Sequence, residues 1–240
     1  MLKVGHITIG YGNRTLVRDI SFELAPGECV LLAGANGTGK TTLLKTIAEG
    51  VSSDEPRVAQ FSEHTPSAAR ALLIPTNIPK VKGFTVESFI ETGCYQESDW
   101  RGRISKDVAT KMDEALDVLG IQALKDRDIS TLSDGEFKKA CLAVGLTRRA
   151  EVLLLDEPTA FLDVENRISV LETLRDVARK TGTAILFSSH DLHDALKVAD
   201  RVFVLTRDGQ FLASSPVISS EAEKSKEAVL RAAFPNLSTL

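Results

Sequence analysis

Apolar residues fall into short runs at positions 29–33, 71–75, 151–155, 183–187 and 201–205, the last three each opened by one polar residue. Such runs have no polar face and are too short for helices, so they read as strands buried on both sides of a parallel sheet. Between them the apolar period lengthens to three or four. Helices are predicted from Gly39 to near Gly50, over 85–92, and over 107–119, where Val108, Met112, Ala115, Leu116 and Leu119 share a face that Gly120 ends. Another starts at Ser133 and runs to about Arg149, with Phe137, Cys141, Val144 and Leu146 apolar. A long one covers 164–180, with Ile168, Leu171, Leu174, Val177 and Ala178 apolar and Gly182 as its stop, and a short one covers 191–198.

The first residues follow another rule. Positions 2–9 alternate, as a half-buried strand does, up to the turn cluster Gly10-Tyr11-Gly12-Asn13. A second short strand over 19–24 closes at Ala25-Pro26-Gly27-Glu28, and Arg207-Asp208-Gly209-Gln210 reads as a hairpin turn into 211–213. Residues 51–70 look polar and irregular, and 221–234 reads as a final helix. The alternation predicts an α/β fold: a mainly parallel sheet with helices on both faces, small antiparallel strands at an edge, and a ligand at the carboxyl ends of the strands.

Composition narrows the setting. The chain has 240 residues, 43% hydrophobic and 26% charged, enough for one large domain with a substantial core. A net charge of −4 gives no general attraction to nucleic acid or anionic lipid. No apolar run approaches the roughly 20 residues of a membrane span, and the N-terminus does not read as a secretion signal. Three cysteines form neither a disulfide framework nor a zinc set, which fits a reduced cytoplasmic protein, and Cys29 and Cys141 read as small buried hydrophobes.

Chemistry enters at Gly34-Ala35-Asn36-Gly37-Thr38-Gly39-Lys40-Thr41-Thr42, between a strand and a helix. Glycines let the backbone turn its N–H groups toward one concavity, and the helix start adds unpaired N–H groups and a positive dipole end. Lys40 supplies a full charge for the outer phosphates, and the Thr41 hydroxyl can ligate magnesium. The apolar run 152–155 delivers Asp156 to the same sheet edge, within reach of that magnesium. Glu157 follows and could polarise a water for attack on the γ-phosphate. A second anion-binding helix start lies at Leu132-Ser133-Asp134-Gly135-Glu136, which is also a capping box. One nucleotide does not need two such starts, so the second is expected to serve a nucleotide held by another copy.

The loop GANGTGKTT, the sequence LSDGE, and VLLLDEPTAFLD followed by Ser188-Ser189-His190 stand in one order, and together they resemble the nucleotide-binding subunit of an ABC transporter over about residues 1–212. The resemblance implies an ABC-type P-loop NTPase. Its core and N-terminal antiparallel β subdomain would span 1–75 and 151–212, with a helical subdomain at 76–150 and a tail at 213–240. It makes residues 34–42 the Walker A loop, Asp156 the Walker B aspartate and Glu157 the catalytic base. Tyr11 would stack on adenine, Asp163 would organise a dimer interface, His190 would contact the γ-phosphate, and Ser133 to Glu136 would complete the partner's site.

The implied active state is a head-to-tail dimer around two ATP and two Mg2+ ions. It would dock on separate membrane permease subunits at the inner face of the membrane, with a substrate-binding protein acting indirectly and no nucleic acid involved. The run ITIGYGNRTLVRDISFELAPGE looks most like importers of iron-siderophores, haem and cobalamin. The alternative is a soluble ABC ATPase, such as one for iron–sulfur cluster assembly. Three positions depart from the family pattern: Thr76 stands where a magnesium-touching glutamine is usual, Asp134 replaces a commoner glycine, and Thr41 replaces serine. Asp134 must therefore point away from the γ-phosphate, and Thr76 is expected to line the magnesium shell, through water.

Overall fold

The computed structural model describes residues 1–11, 14–49, 71–95, 105–214 and 226–231. At its centre is β3 (Cys29–Gly34), hydrogen-bonded in parallel to β6 (Ala184–Ser188) on one side and β7 (Arg201–Leu205) on the other. Beyond β6 lie β5 (Val152–Leu155) and the edge strand β4 (Ala71–Ile74), both parallel. Beyond β7 the hairpin strand β8 (Phe211–Ala213) runs antiparallel, giving the order β4-β5-β6-β3-β7-β8.

The pleat of β3 divides the core in two. Cys29, Leu31 and Ala33 enter one apolar cluster with residues of the neighbouring strands and of α2 (Val86–Gly93), α3 (Lys106–Val118), α4 (Asp134–Thr147), α5 (Val164–Thr181) and α6 (Leu192–Val198). Val30 and Leu32 enter the other, with α1 (Lys40–Glu49), β1 (Leu2–Tyr11) and β2 (Arg14–Leu24). Phe22 of β2 packs its ring 4.8 Å from that of Phe203 and 5.7 Å from that of Phe211, tying the N-terminal strands to β7 and β8. Full burial of a ring such as Phe203 contributes about 1.5–3 kcal/mol.

The predicted elements are present, with informative differences. β1 and β2 form a sheet of their own on a face of the main one, rather than an antiparallel edge. β2 starts at Arg14 instead of 19, and β1 continues through Tyr11. Register shifts on either side of Ile7 break the simple alternation. His6, with φ +53°, turns out to an exposed ion pair with Asp19, while Ile7 and Ile9 turn in; a bulge re-aims side chains without ending a strand.

The edge strand β4 buries only Ile74 fully, since one flank has no neighbour among the described residues. Ile168 is 39% exposed although it sits on the apolar stripe of α5. All three cysteines are buried and none is in a disulfide, and burial pushes the Cys141 thiol up to about 12 and the Cys29 thiol further up. The irregular stretch 51–70, the helix stop at Gly50 and most of the final helix fall outside the described residues, although 226–231 are helical.

Candidate functional site

The carboxyl ends of β3, β6 and β5 lie side by side, and each delivers part of the site. The loop after β3 turns on Gly34, at φ +155°, where a Cβ would come 2.7 Å from the Leu205 carbonyl oxygen and from Thr38 Oγ1. Thr38 Oγ1 donates to the Ala35 carbonyl at 2.9 Å and sets the loop's curvature. Lys40 is only 7% exposed; its Nζ donates to the Gly34 carbonyl at 2.8 Å and to that of Ala35 at 3.2 Å. Burial lowers its pKa, and the carboxylates of Glu157 and Asp156 work against that shift. The cation is thus held along the inside of the loop that would wrap a phosphate chain.

Thr41 Oγ1 donates to Asp156 Oδ2 at 2.9 Å, joining the start of α1 to the end of β5. A hydroxyl and a carboxylate facing each other form a hard oxygen donor pair of the kind magnesium takes beside phosphate oxygens. Ser188, the last residue of β6, braces the end of β5. Its Oγ donates to Asp156 Oδ1 at 3.0 Å and accepts from the Glu157 N–H at 2.9 Å. That role was not read from the sequence; the signal was a polar residue closing a run of buried apolar ones.

Glu157 lies in the left-handed region at φ +48°, a backbone state that costs a non-glycine residue about 1 kcal/mol or more. The turn breaks away from β5 and brings its carboxylate to His190 Nε2. The loop carrying His190 is fastened by an ion pair between Arg167 of α5 and Asp191, whose carboxylate also caps α6. The structure therefore brings Lys40, Thr41, Asp156, Glu157 and His190 together. Tyr11 reaches the same loop: its hydroxyl is bonded to the Thr42 hydroxyl while 55% of the residue stays exposed.

The second helix start is built differently. Ser133 Oγ accepts from the Glu136 N–H at 3.2 Å and Glu136 Oε2 accepts from the Ser133 N–H at 2.8 Å, which completes the capping box. Among the described residues, no hydrogen bond joins this turn to the phosphate loop. It packs on the start of α5 instead, where a Cβ on Gly135 would come 2.9 Å from Asn166 Oδ1. Asp163 fixes that asparagine: it accepts from the Asn166 N–H and from its Nδ2, each at 2.8 Å. Next to Asp163, Phe161 is 84% and Val164 60% exposed.

Asp134 pairs with Lys80, whose Nζ lies 2.6 Å from its Oδ1. The Thr76 carbonyl accepts from Lys138 Nζ at 2.9 Å, and the segment into Thr76 leaves beside Asp156, whose N–H donates to the Ile74 carbonyl at 3.0 Å. Two recesses lie elsewhere. One of about 400 Å3 opens at the opposite end of the strands, near Leu2, Pro26, Val152 and Ala184. An apolar one of about 290 Å3 lies between β4 and helices α2 and α4, lined by Leu72, Ile78, Phe89 and Val144 among others.

Residues 17–160 match the sequence model of the ABC transporter family. The chain belongs to that family. It is an ATP-binding, ATP-hydrolysing ABC domain. It is similar to the achromobactin transport ATP-binding protein of Dickeya dadantii, at 32% identity over 95% of this chain and 85% of that one. The petrobactin import ATP-binding protein of Bacillus anthracis is also 32% identical, over 86% of this chain and 78% of its own.

Among solved structures, a metal-chelate type ABC transporter in an inward-facing conformation superposes with a TM-score of 0.76 at 21% identity, covering 95% of this chain and 88% of that one. An ATP-binding cassette in its ADP conformation gives 0.75 at 21%, covering 96% and 97%. Among the described residues, no helix is long and apolar enough to cross a membrane.

Proposed function

We propose that this ABC ATPase powers solute import as a head-to-tail dimer docked on separate permease subunits at the inner face of the membrane. The observation that carries the reading is the pair of helix starts, one tied through Thr41 to Asp156, the other packed beside Asn166 and Asp163. The named relatives are transport subunits, which favours transport over the soluble assembly alternative. Their cargoes make an iron–siderophore complex the expected solute class, with haem and cobalamin as neighbouring chemistries.

In this reading the core and β subdomain occupy 1–75 and 151–212, the helical subdomain 76–150 and the tail 213–240. The apolar recess between β4, α2 and α4 supports docking of a permease helix. Residues Gly34 to Thr42 wrap the phosphates, Lys40 meets their charge, and the exposed Tyr11 ring takes the adenine. Thr41 and Asp156 would hold Mg2+, with Thr76 beside them; when bound, that ion would neutralise charge on the β- and γ-phosphates. Glu157 accepts a proton from the attacking water and His190 orients Glu157 and the γ-phosphate. Ser133, Gly135 and Glu136 close over the partner's nucleotide, with Asp163 and Phe161 at the joint.

Glu157→Gln tests the assignment of the base. Turnover is expected to fall by about 10²–10⁴-fold while ATP affinity is kept. Hydrolysis at the parent rate would contradict it.

A further inference from the structure

The residue after Ser133 is an acid in this chain, and the fold supplies a cation for it from a distant segment. Asp134 is the first residue of α4, at the turn that would receive the γ-phosphate of a second copy's nucleotide. An unpaired carboxylate there opposes a triphosphate, and the repulsion grows as closure removes water.

Lys80, from the segment that leaves β4 past Thr76, meets it. Its Nζ lies 2.6 Å from Asp134 Oδ1, donates to the Leu132 carbonyl at 2.8 Å, and sits 5.5 Å from the centre of the Phe137 ring. Its side chain is 25% exposed against 61% for Asp134, so the cation is the fixed member and the carboxylate is drawn to it. Lys138, also in the field of Asp134, is committed to the Thr76 carbonyl and lowered by burial.

The geometry points to Lys80 as a positioning residue for ATP hydrolysis: its ammonium neutralises Asp134 and holds that carboxylate aside, so that the Ser133–Gly135 turn can close on a partner's γ-phosphate. Asp134 and Lys80 are then one device, an acid at the closing surface tolerated because a loop lysine answers it. The inference rests on the dimer reading above. It also links the Thr76 segment to the closing helix through charge, in a chain that lacks the usual glutamine at Thr76.

The test is a double-mutant comparison on the full chain with magnesium-ATP. Lys80→Gln, Lys80→Met and Lys80→Arg are each made in the parent and in Asp134→Gly, and kcat/KM, kcat and equilibrium ATP affinity are measured. In the parent, Lys80→Gln and Lys80→Met are expected to lower kcat/KM by about tenfold, Lys80→Arg by less than about twofold, and none to change ATP affinity. In Asp134→Gly, Lys80→Gln and Lys80→Met are expected to cost less than about twofold.

An equal cost in both backgrounds would mean that Lys80 acts only as a staple to the Leu132 carbonyl, and would overturn the proposal. So would no cost in the parent. Should Lys80→Met fail to fold by circular dichroism, Lys80→Gln, which keeps a donor near that carbonyl, carries the comparison. Ser133→Arg, run alongside, separates the two readings: unchanged turnover there removes the dimer itself, whereas loss there with equal Lys80 costs removes only this inference.

Discussion

The starts of α1 and α4 share a chemistry and differ in what finishes them. At α1 the chain completes the surroundings itself: Lys40 is 7% exposed and bonded to its own loop, and Thr41 is tied to Asp156. At α4 the cap is made from its own first turn, Asp134 is 61% exposed, and the neighbouring turn before α5 presents Phe161 at 84% exposure. In the proposed dimer the first is a site, and the second is half of one. Positive helix ends attract anions wherever they occur, so what distinguishes the two is whether the same chain supplies the groups that act on the anion.

The largest effect should come from emptying the first start. Lys40→Ala is expected to weaken ATP binding by about 100-fold or more in calorimetry, since it removes the charge that meets the outer phosphates. Undiminished affinity would remove the phosphate-loop assignment. Blocking the second start should separate the two: Ser133→Arg is expected to cut hydrolysis on the order of 100-fold while the monomer binds ATP as before. Phe161→Asp should act only between copies, weakening ATP-dependent association by about tenfold in sedimentation with little change in melting temperature. The smallest effect belongs to neither start. Thr85 caps α2 through a box with Ser88, so Thr85→Ala should cost about 1 kcal/mol of stability and leave ATP affinity alone.

The sequence made the first start far more legible than the second. Glycine spacing, a strand before it and a helix after it follow from local backbone demands, and the run 152–155 shows that Asp156 ends a buried strand without showing which strand it borders. Ser188 escaped because its role depends on β6 lying between β5 and β3, a tertiary fact with no local signal. The bulge at His6 escaped because alternation alone does not reveal a slipped register. The need for Asp134 to turn aside was readable from its charge. Its partner Lys80 was not, since the two are joined only by the fold.

If α4 completes a site in another copy, two copies should associate only around nucleotide and only with that helix start open. Glu157→Gln, which should bind ATP without consuming it, is compared by light scattering with and without magnesium-ATP, alone and combined with Ser133→Arg. Glu157→Gln with ATP is expected at twice the monomer mass and the combined variant at monomer mass, both binding nucleotide. A stable dimer of the combined variant, or a Glu157→Gln protein that stays monomeric at saturating ATP, would contradict it.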